Sequence, residues 1–355
     1  MRGLYNSARD FRYNPDVKRI VVRRPGGYDS LELIEEADPT PGPGQVRVRV
    51  RAAGVNYADI VVREGYYEAA KGRYPITPGF EFAGGVDALG DGTSVFNEGD
   101  RVFGFTRFGG YASVQIVEPA CLRAMPDGWG FAECAALPAV QFTAYHGLFK
   151  VARVAAGETV LVHSAAGGVG TALLQQARLA GVRTVAVVGS AAKESVAREF
   201  GADAVVVRGP DLWEDVDRAA PDGFDSVFDA NGVTTLKPGF ARLKLGGRLV
   251  VYGFAEMMPR GRRPFLPELA WNWLRVPRFS PLDLTASNRA VMGFNVIFLT
   301  ENAGLAREGF DAIAGWARDG RLKKPPVTAF PIEHAADAHR ALESGKTVGK
   351  LALSF

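Results

Sequence analysis

Cysteine is scarce in this chain, with Cys121 and Cys134 the two present among 355 residues. Two cysteines cannot build a disulfide scaffold or a four-cysteine zinc site, and they fit a reducing compartment. No apolar stretch reaches the length of a membrane span, and no signal-peptide core is present. The formal net charge is only +3, so we expect no nucleic-acid partner. These absences predict a cytoplasmic protein.

Basic residues are concentrated at the beginning of the chain, where seven of them face only Asp10 and Asp16. We expect residues 1–14 to be an extension outside the fold. A transit peptide is the weaker alternative, because acidic residues are present and serine is scarce. The full length exceeds what one compact core usually holds, so two domains are expected.

A glycine-rich turn between two apolar segments is the most informative motif. Thr159–Val162 is short and largely apolar, Ser164–Gly170 is rich in glycine, and Thr171–Ala180 has one apolar face. This order predicts a strand, a dinucleotide-binding turn and a helix whose amino terminus faces the pyrophosphate. Alanine stands at position 165, where the first glycine of this fingerprint usually occurs.

Further short apolar runs follow this turn and indicate more buried parallel strands. They are Val182–Val188, Ala204–Val207, Ser226–Phe228 and Arg248–Tyr252, with helical patterns at Lys193–Phe200 and Leu236–Lys244. We therefore predict an α/β protein with a Rossmann-type, doubly wound parallel sheet in residues 152–285.

The end of the second predicted strand indicates the coenzyme. Domains that bind NAD place an acidic residue there, whereas this chain has Gly189, Ser190 and then Lys193. A carboxylate would repel a 2′-phosphate, but a hydroxyl and an ammonium accept one. Arg208, after the third strand, can supply a second cation. Either cation alone would be interpreted as an ordinary surface charge. The two cations together with the missing acidic residue predict NADPH as the coenzyme.

The first part of the chain has a different pattern. Gln45–Arg51 alternates strictly, as a half-exposed antiparallel strand does, and Pro-Gly turns separate short strands. We predict a small β-barrel-like domain in residues 15–151. The segment 286–355, with a helix at Gly309–Asp319 and a strand at Val348–Leu353, is too short for a domain and should pack back onto the first one. A ligand cleft between the domains follows.

Together these residues resemble the medium-chain dehydrogenase/reductase superfamily, in its zinc-independent quinone oxidoreductase branch. The matching segments are Ala53–Asp59, Arg63–Tyr66, Pro78–Glu81, Gly99–Val102, Thr143–Tyr145, Ser164–Gly170 and Val348–Lys350. Trp271–Trp273 and Ser287–Val296 are similar to the vesicle amine transport protein-like subgroup. The resemblance implies a GroES-like β-rich catalytic domain, NADPH-dependent reduction of a quinone or another conjugated carbonyl, and a homodimer joined through the nucleotide-binding domains.

The resemblance also implies roles for particular residues. Coenzyme contacts are expected from four groups of residues. The phosphate turn contributes Ala166, Gly167, Gly168, Val169 and Gly170, and the adenosine phosphate site contributes Gly189, Ser190, Lys193 and Arg208. The nicotinamide site contributes Asn231, Tyr252, Gly253, Phe254, Phe294, Asn295 and Val296, and the cleft contributes Thr143 and Lys350. Catalytic roles are implied for Asn56 and Asp59. Tyr66 is a further catalytic candidate because it lies near the position of the family tyrosine, although the spacing does not distinguish it from Tyr57 and Tyr67.

Zinc is not expected, because the family's ligand positions hold other residues. The first cysteine position is Asn56, and the histidine of the Gly-His-Glu segment is Phe80. The four histidines lie elsewhere. A quinone is electrophilic enough to accept a hydride without a metal, so the protein then contributes mainly position.

The sequence departs from its family at Val61, where many quinone reductases carry a tyrosine in the nicotinamide pocket. Tyr57, Tyr66 and Tyr67 are nearby. Tyr66 is taken as the candidate proton donor, although a packing role is the more common one for such a residue.

Two other functions remain open. Residues 260–279 mix arginines with aromatic residues, so a protein with weak catalysis could use this segment to bind a lipid surface or a partner protein. A dimer contact or a lid beside the cleft is the more ordinary interpretation. An enoyl thioester reductase would share the hydride step, although no phosphopantetheine channel is evident.

Overall fold

The computed structural model describes residues 16–258 and 266–355. The predicted extension at residues 1–14, and the first part of the arginine- and aromatic-rich segment, lie outside the described residues.

The first domain is built on a seven-stranded, mainly antiparallel sheet. Its amino-terminal part contains β1 (Asp16–Val21), β2 (Glu32–Ala37), β3 (Val46–Val55), α1 (Tyr57–Glu64), β4 (Glu81–Leu89), β5 (Arg101–Phe105), β6 (Val114–Val117), β7 (Leu122–Ala124), α2 (Phe131–Ala135) and α3 (Pro138–Tyr145). β1 and β2 form a separate two-stranded sheet. A π-helical segment, residues 146–152, leads into the second domain.

The alternating sequence in β3 behaves as its pattern predicts. Burial alternates from Val46 to Arg51, and every residue from Ala52 to Val55 is buried. β3 pairs antiparallel with both β4 and β6. Its fully buried carboxyl end leads directly to Asn56, so the sheet fixes the position of that residue.

The second domain is a doubly wound parallel sheet of the Rossmann type. It contains β8 (Thr159–Val162), α4 (Gly168–Leu179), β9 (Arg183–Val188), α5 (Glu194–Glu199), β10 (Ala204–Val207), α6 (Leu212–Ala219), β11 (Phe224–Asp229), α7 (Leu236–Ala241), β12 (Leu243–Val251), α8 (Leu266–Arg275), α9 (Pro281–Ser287) and β13 (Ala290–Gly293). The strand order is β10-β9-β8-β11-β12-β13. It reverses between β8 and β11, so a crevice opens at their carboxyl ends.

Several boundaries differ from the sequence prediction; for example, the strand expected at Arg248–Tyr252 is β12, which begins at Leu243. The helix expected at Leu236–Lys244 ends at Ala241, because residues 243 and 244 already belong to β12. The sixth strand, Ala290–Gly293, lies beyond residue 285. It is a short edge strand without a long apolar run, so the pattern did not reveal it.

The carboxyl-terminal segment returns to the first domain. It contains α10 (Val296–Leu299), α11 (Ala303–Arg318), β14 (Val327–Pro331), α12 (Ala335–Glu343) and β15 (Lys350–Ser354). β15 pairs antiparallel with β3 and parallel with β14, which completes the sheet. Lys350 is thereby brought beside the end of β3, although 294 residues of chain separate it from Asn56. In the described part of the chain, no helix is long and apolar enough to cross a bilayer.

Candidate active site between the domains

The end of β3 carries a buried polar cluster formed by Asn56, Glu81 and Lys350. The Lys350 ammonium donates to the Asn56 side-chain oxygen at 2.7 Å, to Glu81 Oε1 at 2.7 Å and to the carbonyl oxygen of Val55 at 2.9 Å. The Asn56 amide donates to Glu81 Oε1 at 2.8 Å. All three ammonium hydrogens therefore have protein acceptors.

Glu81 is fully buried, and its second carboxylate oxygen accepts from the backbone N–H of Ala139 at 2.7 Å. Gly54 makes room for it, because a Cβ at that position would lie 2.3 Å from Glu81 Oε1. Sequence reasoning did not assign Glu81 a role. The signal available was an acid directly before a run of five uncharged residues, 82–86.

Asp59 lies behind this cluster rather than in the cleft. It is fully buried and accepts from the backbone N–H groups of Asn56 and Gly79, each at 2.8 Å, and from the Tyr111 hydroxyl at 3.1 Å. Burial raises the pKa of Asp59 to about 7, although these donors and Lys350 oppose the shift. The Tyr111 hydroxyl also lies 3.1 Å from His339 Nε2. Asp59 thus connects three backbone segments.

A cavity of about 1060 Å³ opens between the two domains in front of Asn56. Tyr66 lies on its wall and is 43% exposed, whereas the Tyr67 hydroxyl donates to Asn295 Oδ1 at 3.0 Å. Burial raises the pKa of Tyr67 to about 12. Val61 and Tyr57 also line the cavity.

Many of the residues expected to contact the coenzyme line the same cavity. Those that line it are Thr143, Val169, Tyr252, Gly253, Phe254, Phe294, Asn295 and Val296. Tyr252 stacks on Phe294 with ring centroids 6.2 Å apart, and burial raises its pKa well above the usual range. The structure thus brings these residues within one cavity with Asn56.

The phosphate turn has the shape that a dinucleotide needs. Gly170 packs closely against the turn that follows β8, because a Cβ there would lie 2.4 Å from the carbonyl oxygen of Ser164. The first N–H groups of α4, which begins at Gly168, have no partner within the helix. Ala166 accepts from the backbone N–H of Gly349 at 3.0 Å, so the turn also contacts the first domain.

Unpartnered polar atoms lie at the carboxyl end of β11. Asp229 Oδ1 accepts from the N–H groups of Asn231 and Gly232, and Asn231 Oδ1 accepts from the Ser164 hydroxyl at 2.9 Å. Asn231 Nδ2 and Asp229 Oδ2 are buried without a hydrogen-bond partner. Buried polar atoms without partners are unfavourable, so a ribose with hydroxyl groups fits this end of the sheet.

The two cations expected at the adenosine phosphate already have partners. Lys193 donates to the carbonyl oxygens of Gly345 and Thr347 at 2.7 and 2.9 Å. Arg208 lies 3.7 Å from Glu256 Oε1. Gly189 borders open space, and Ser190 is exposed beside it.

No group of three His, Cys, Asp or Glu side chains within residues 16–258 and 266–355 is placed to hold a metal ion. Phe80 lines the cavity beside Asn56. At the site where the zinc-dependent relatives would hold their metal, this chain therefore presents an amide, a phenyl ring and an ammonium–carboxylate pair.

Comparisons with known proteins agree with this architecture. Residues 42–147 match the alcohol dehydrogenase GroES-like domain, and residues 200–353 match a family described as zinc-binding dehydrogenase. The synaptic vesicle membrane protein VAT-1 homolog of Rattus norvegicus is 35% identical over 342 residues, covering 96% of this chain and 84% of the rat protein.

Solved structures give the same result. The human VAT-1 homolog-like protein has a TM-score of 0.81 at 29% identity, covering 96% of this chain and 99% of the other. The Escherichia coli quinone oxidoreductase complexed with NADPH has a TM-score of 0.81 at 25% identity, covering 95% and 100%. These similarities define an oxidoreductase of the medium-chain dehydrogenase/reductase superfamily. Within it, the chain belongs to the family of VAT-1 homologues.

Proposed function

We propose that this protein binds NADPH and reduces quinones or other α,β-unsaturated carbonyls without zinc. The observation that carries the proposal is the Asn56–Glu81–Lys350 cluster, whose Asn56 lines a cavity shared with the expected nicotinamide residues. Bound NADPH supplies a hydride from its nicotinamide C4; the acceptor takes it with a proton from water, so a quinone becomes a hydroquinone.

Asn56 has the role of hydrogen-bond donor to the acceptor oxygen. Its amide carries two N–H bonds, one of which is used by Glu81. Lys350 withdraws electron density from the amide oxygen, which strengthens the remaining N–H as a donor. Lys350 is thus a positioning residue, because its own hydrogens are already bonded. Glu81 neutralises the ammonium, so the cluster adds no net charge to an apolar cavity.

The coenzyme is held by residues of the second domain. The helix α4 amino terminus takes the pyrophosphate, and Asn231 Nδ2 takes a ribose oxygen. Lys193 and Arg208 bind the 2′-phosphate after exchanging their present partners for it. For Lys193 the phosphate offers a stronger acceptor than the neutral carbonyl oxygens of Gly345 and Thr347, so this exchange is favourable.

The test is a coupled assay with the intact protein. NADPH oxidation is followed with a panel of quinones and enones, NADH is compared, and metal content is measured by mass spectrometry. Turnover that prefers NADPH in metal-free protein is the expected result. An inactive protein that still binds NADPH would leave only the binding role, and stoichiometric zinc would contradict the polar-cluster mechanism.

A second candidate function comes from α8, which exposes Trp271 and Leu274 while Leu269 lines the cavity. The exposed indole and leucine favour a contact with a lipid surface or a partner protein. Co-sedimentation with anionic vesicles, released by salt, would support this function. A monodisperse protein that does not bind vesicles would contradict this second function.

A homodimer joined through the nucleotide-binding domains is also proposed. Among the described residues, β13 and β10 are the two edge strands of the parallel sheet, so the outer side of β13 can pair with a second copy. Light scattering of the purified protein measures this directly. A cytoplasmic location remains a prediction, which fractionation of cells would test.

A further inference from the structure

The cavity between the domains is large for a ligand pocket, and its lining is mainly apolar. At about 1060 Å³ it exceeds the roughly 300–1,000 Å³ typical of ligand pockets. None of its described lining residues is charged. Side-chain amides and threonine hydroxyls come from Asn56, Thr106, Thr143, Asn295 and Thr300.

One part of this cavity lies beneath α8 and is lined by apolar side chains. We name it the α8 arm and define it by Leu236, Met257, Leu269, Val276 and Phe279. Side chains of this kind offer no strong hydrogen-bond donor or acceptor. The arm is therefore suited to hydrocarbon.

Contacts at both ends hold the arm in place. Phe279 packs on Phe240 of α7, with ring centroids 5.1 Å apart. The Asn272 amide of α8 donates to the carbonyl oxygens of Glu256 and Met257 at 3.3 and 3.4 Å. Trp273 lines the cavity and is 61% exposed, so it stands at the mouth.

We propose that the acceptor carries a neutral hydrocarbon tail, alkyl or isoprenoid, which occupies the α8 arm while its carbonyl head lies at Asn56. This inference rests on the proposed reductase function and names its substrate class. A charged or strongly polar tail would lose its hydration in the arm without gaining a partner there. A hydrocarbon tail instead gains affinity as its surface leaves water.

The experiment uses 1,4-benzoquinones that share one head and carry tails of one to ten carbons. We expect kcat/KM with NADPH to rise with tail length by up to about fourfold per buried methylene, and then to level off once the arm is full. A flat or falling series would overturn the proposal.

A substitution within the α8 arm is the second part of the test. Val276→Asp places a carboxylate in the arm and should lower kcat/KM for the ten-carbon substrate at least tenfold, with short-tailed turnover within about twofold. Leu282→Asp, on the exposed surface of α9 and outside the cavity lining, is the matched control and should change neither. An equal loss with long and short tails would contradict the inference.

Binding separates this inference from the proposed function. A redox-inert dimethyl ether of the ten-carbon hydroquinone is titrated while tryptophan fluorescence is recorded. If it binds to the native protein and more weakly to Val276→Asp, but no quinone is reduced, the arm is real and the reductase proposal fails. If reduction proceeds without tail preference or ether binding, the tail inference fails alone.

Discussion

Lys193, at the end of β9, donates to the carbonyl oxygen of Thr347 at 2.9 Å and so joins the nucleotide-binding domain to the segment that precedes β15. Three residues later Lys350 reaches the reaction site. The position expected to recognise the coenzyme phosphate is therefore connected to the proposed catalytic cluster through six residues, 345–350.

Replacing Lys193 with alanine should weaken the binding of NADPH far more than the binding of NADH. A charge-assisted hydrogen bond contributes about 1.5–3 kcal/mol, so KM for NADPH should rise about tenfold or more. Steady-state kinetics with both coenzymes measure this. Lys346→Ala is the control, because Lys346 is exposed and lies between Gly345 and Thr347, the two residues to which Lys193 donates. An equal loss with both coenzymes would mean that Lys193 acts only as a contact between domains.

Replacing Asn56 with alanine should lower kcat by about 100-fold or more, because a hydrogen-bond donor to the developing oxyanion is lost. The dissociation constant of NADPH, measured by fluorescence, should change little. Tyr66→Phe tests the alternative donor in parallel. If Tyr66→Phe has the larger effect on kcat, Asn56 is not the donor.

Lys350→Met should destabilise the fold by about 3–5 kcal/mol, because Glu81 is left buried without its cation. Urea unfolding measures the free energy. The double variant Lys350→Met/Glu81→Gln removes both charges and should recover part of the loss. Failure to recover any would indicate that packing around Lys350, rather than the unpaired charge, causes the effect.

Acid should destabilise the native protein through His339. Burial lowers the pKa of His339 to about 3, below the unfolded value of about 6.5, so stability is lost as the pH falls from about 6.5 towards 3. Between pH 6.5 and 5 the loss from this group is about 2 kcal/mol. His339→Gln should remove that part of the pH dependence in urea unfolding.

Asp59, in the same buried network, has the opposite sign. Its pKa is raised to about 7, so the stability it contributes is lost as the pH rises from about 4 to 7. Comparison of the native protein with His339→Gln at each pH isolates the histidine. If the free energy of unfolding depends on pH in the same way in the native protein and in His339→Gln, His339 does not cause the loss of stability in acid.

Gly170→Ala should destabilise the protein by at least about 2 kcal/mol, since the new Cβ meets the Ser164 carbonyl oxygen. Gly189→Ala, where nothing lies within 4 Å, is the matched control and should leave stability nearly unchanged. Thermal unfolding of both variants decides the matter. Similar Tm values would mean that the turn can relax around the methyl group.

Local patterns predicted the elements that depend on local burial. Thr159–Val162 is a strand at the boundaries expected, because it lies inside the parallel sheet and both of its faces are covered. Ala204–Val207 also has the expected boundaries, since its continuous apolar run is visible in the sequence although it is an edge strand. β13 was missed, since an edge strand needs no continuous apolar run. The hydrogen bonds of Glu81 and Lys193 were also beyond sequence reasoning, because their partners are distant in sequence and are brought near by β15.

The ammonium beside Glu81 has a consequence for attempts to restore metal chemistry. Changing Asn56 to cysteine and Phe80 to histidine would supply two ligands, yet a divalent ion would then face a fixed positive charge that already holds the neighbouring carboxylate. Engineering a zinc enzyme from this scaffold would require removal of Lys350 in the same step, so the two chemistries are separated by at least three simultaneous substitutions.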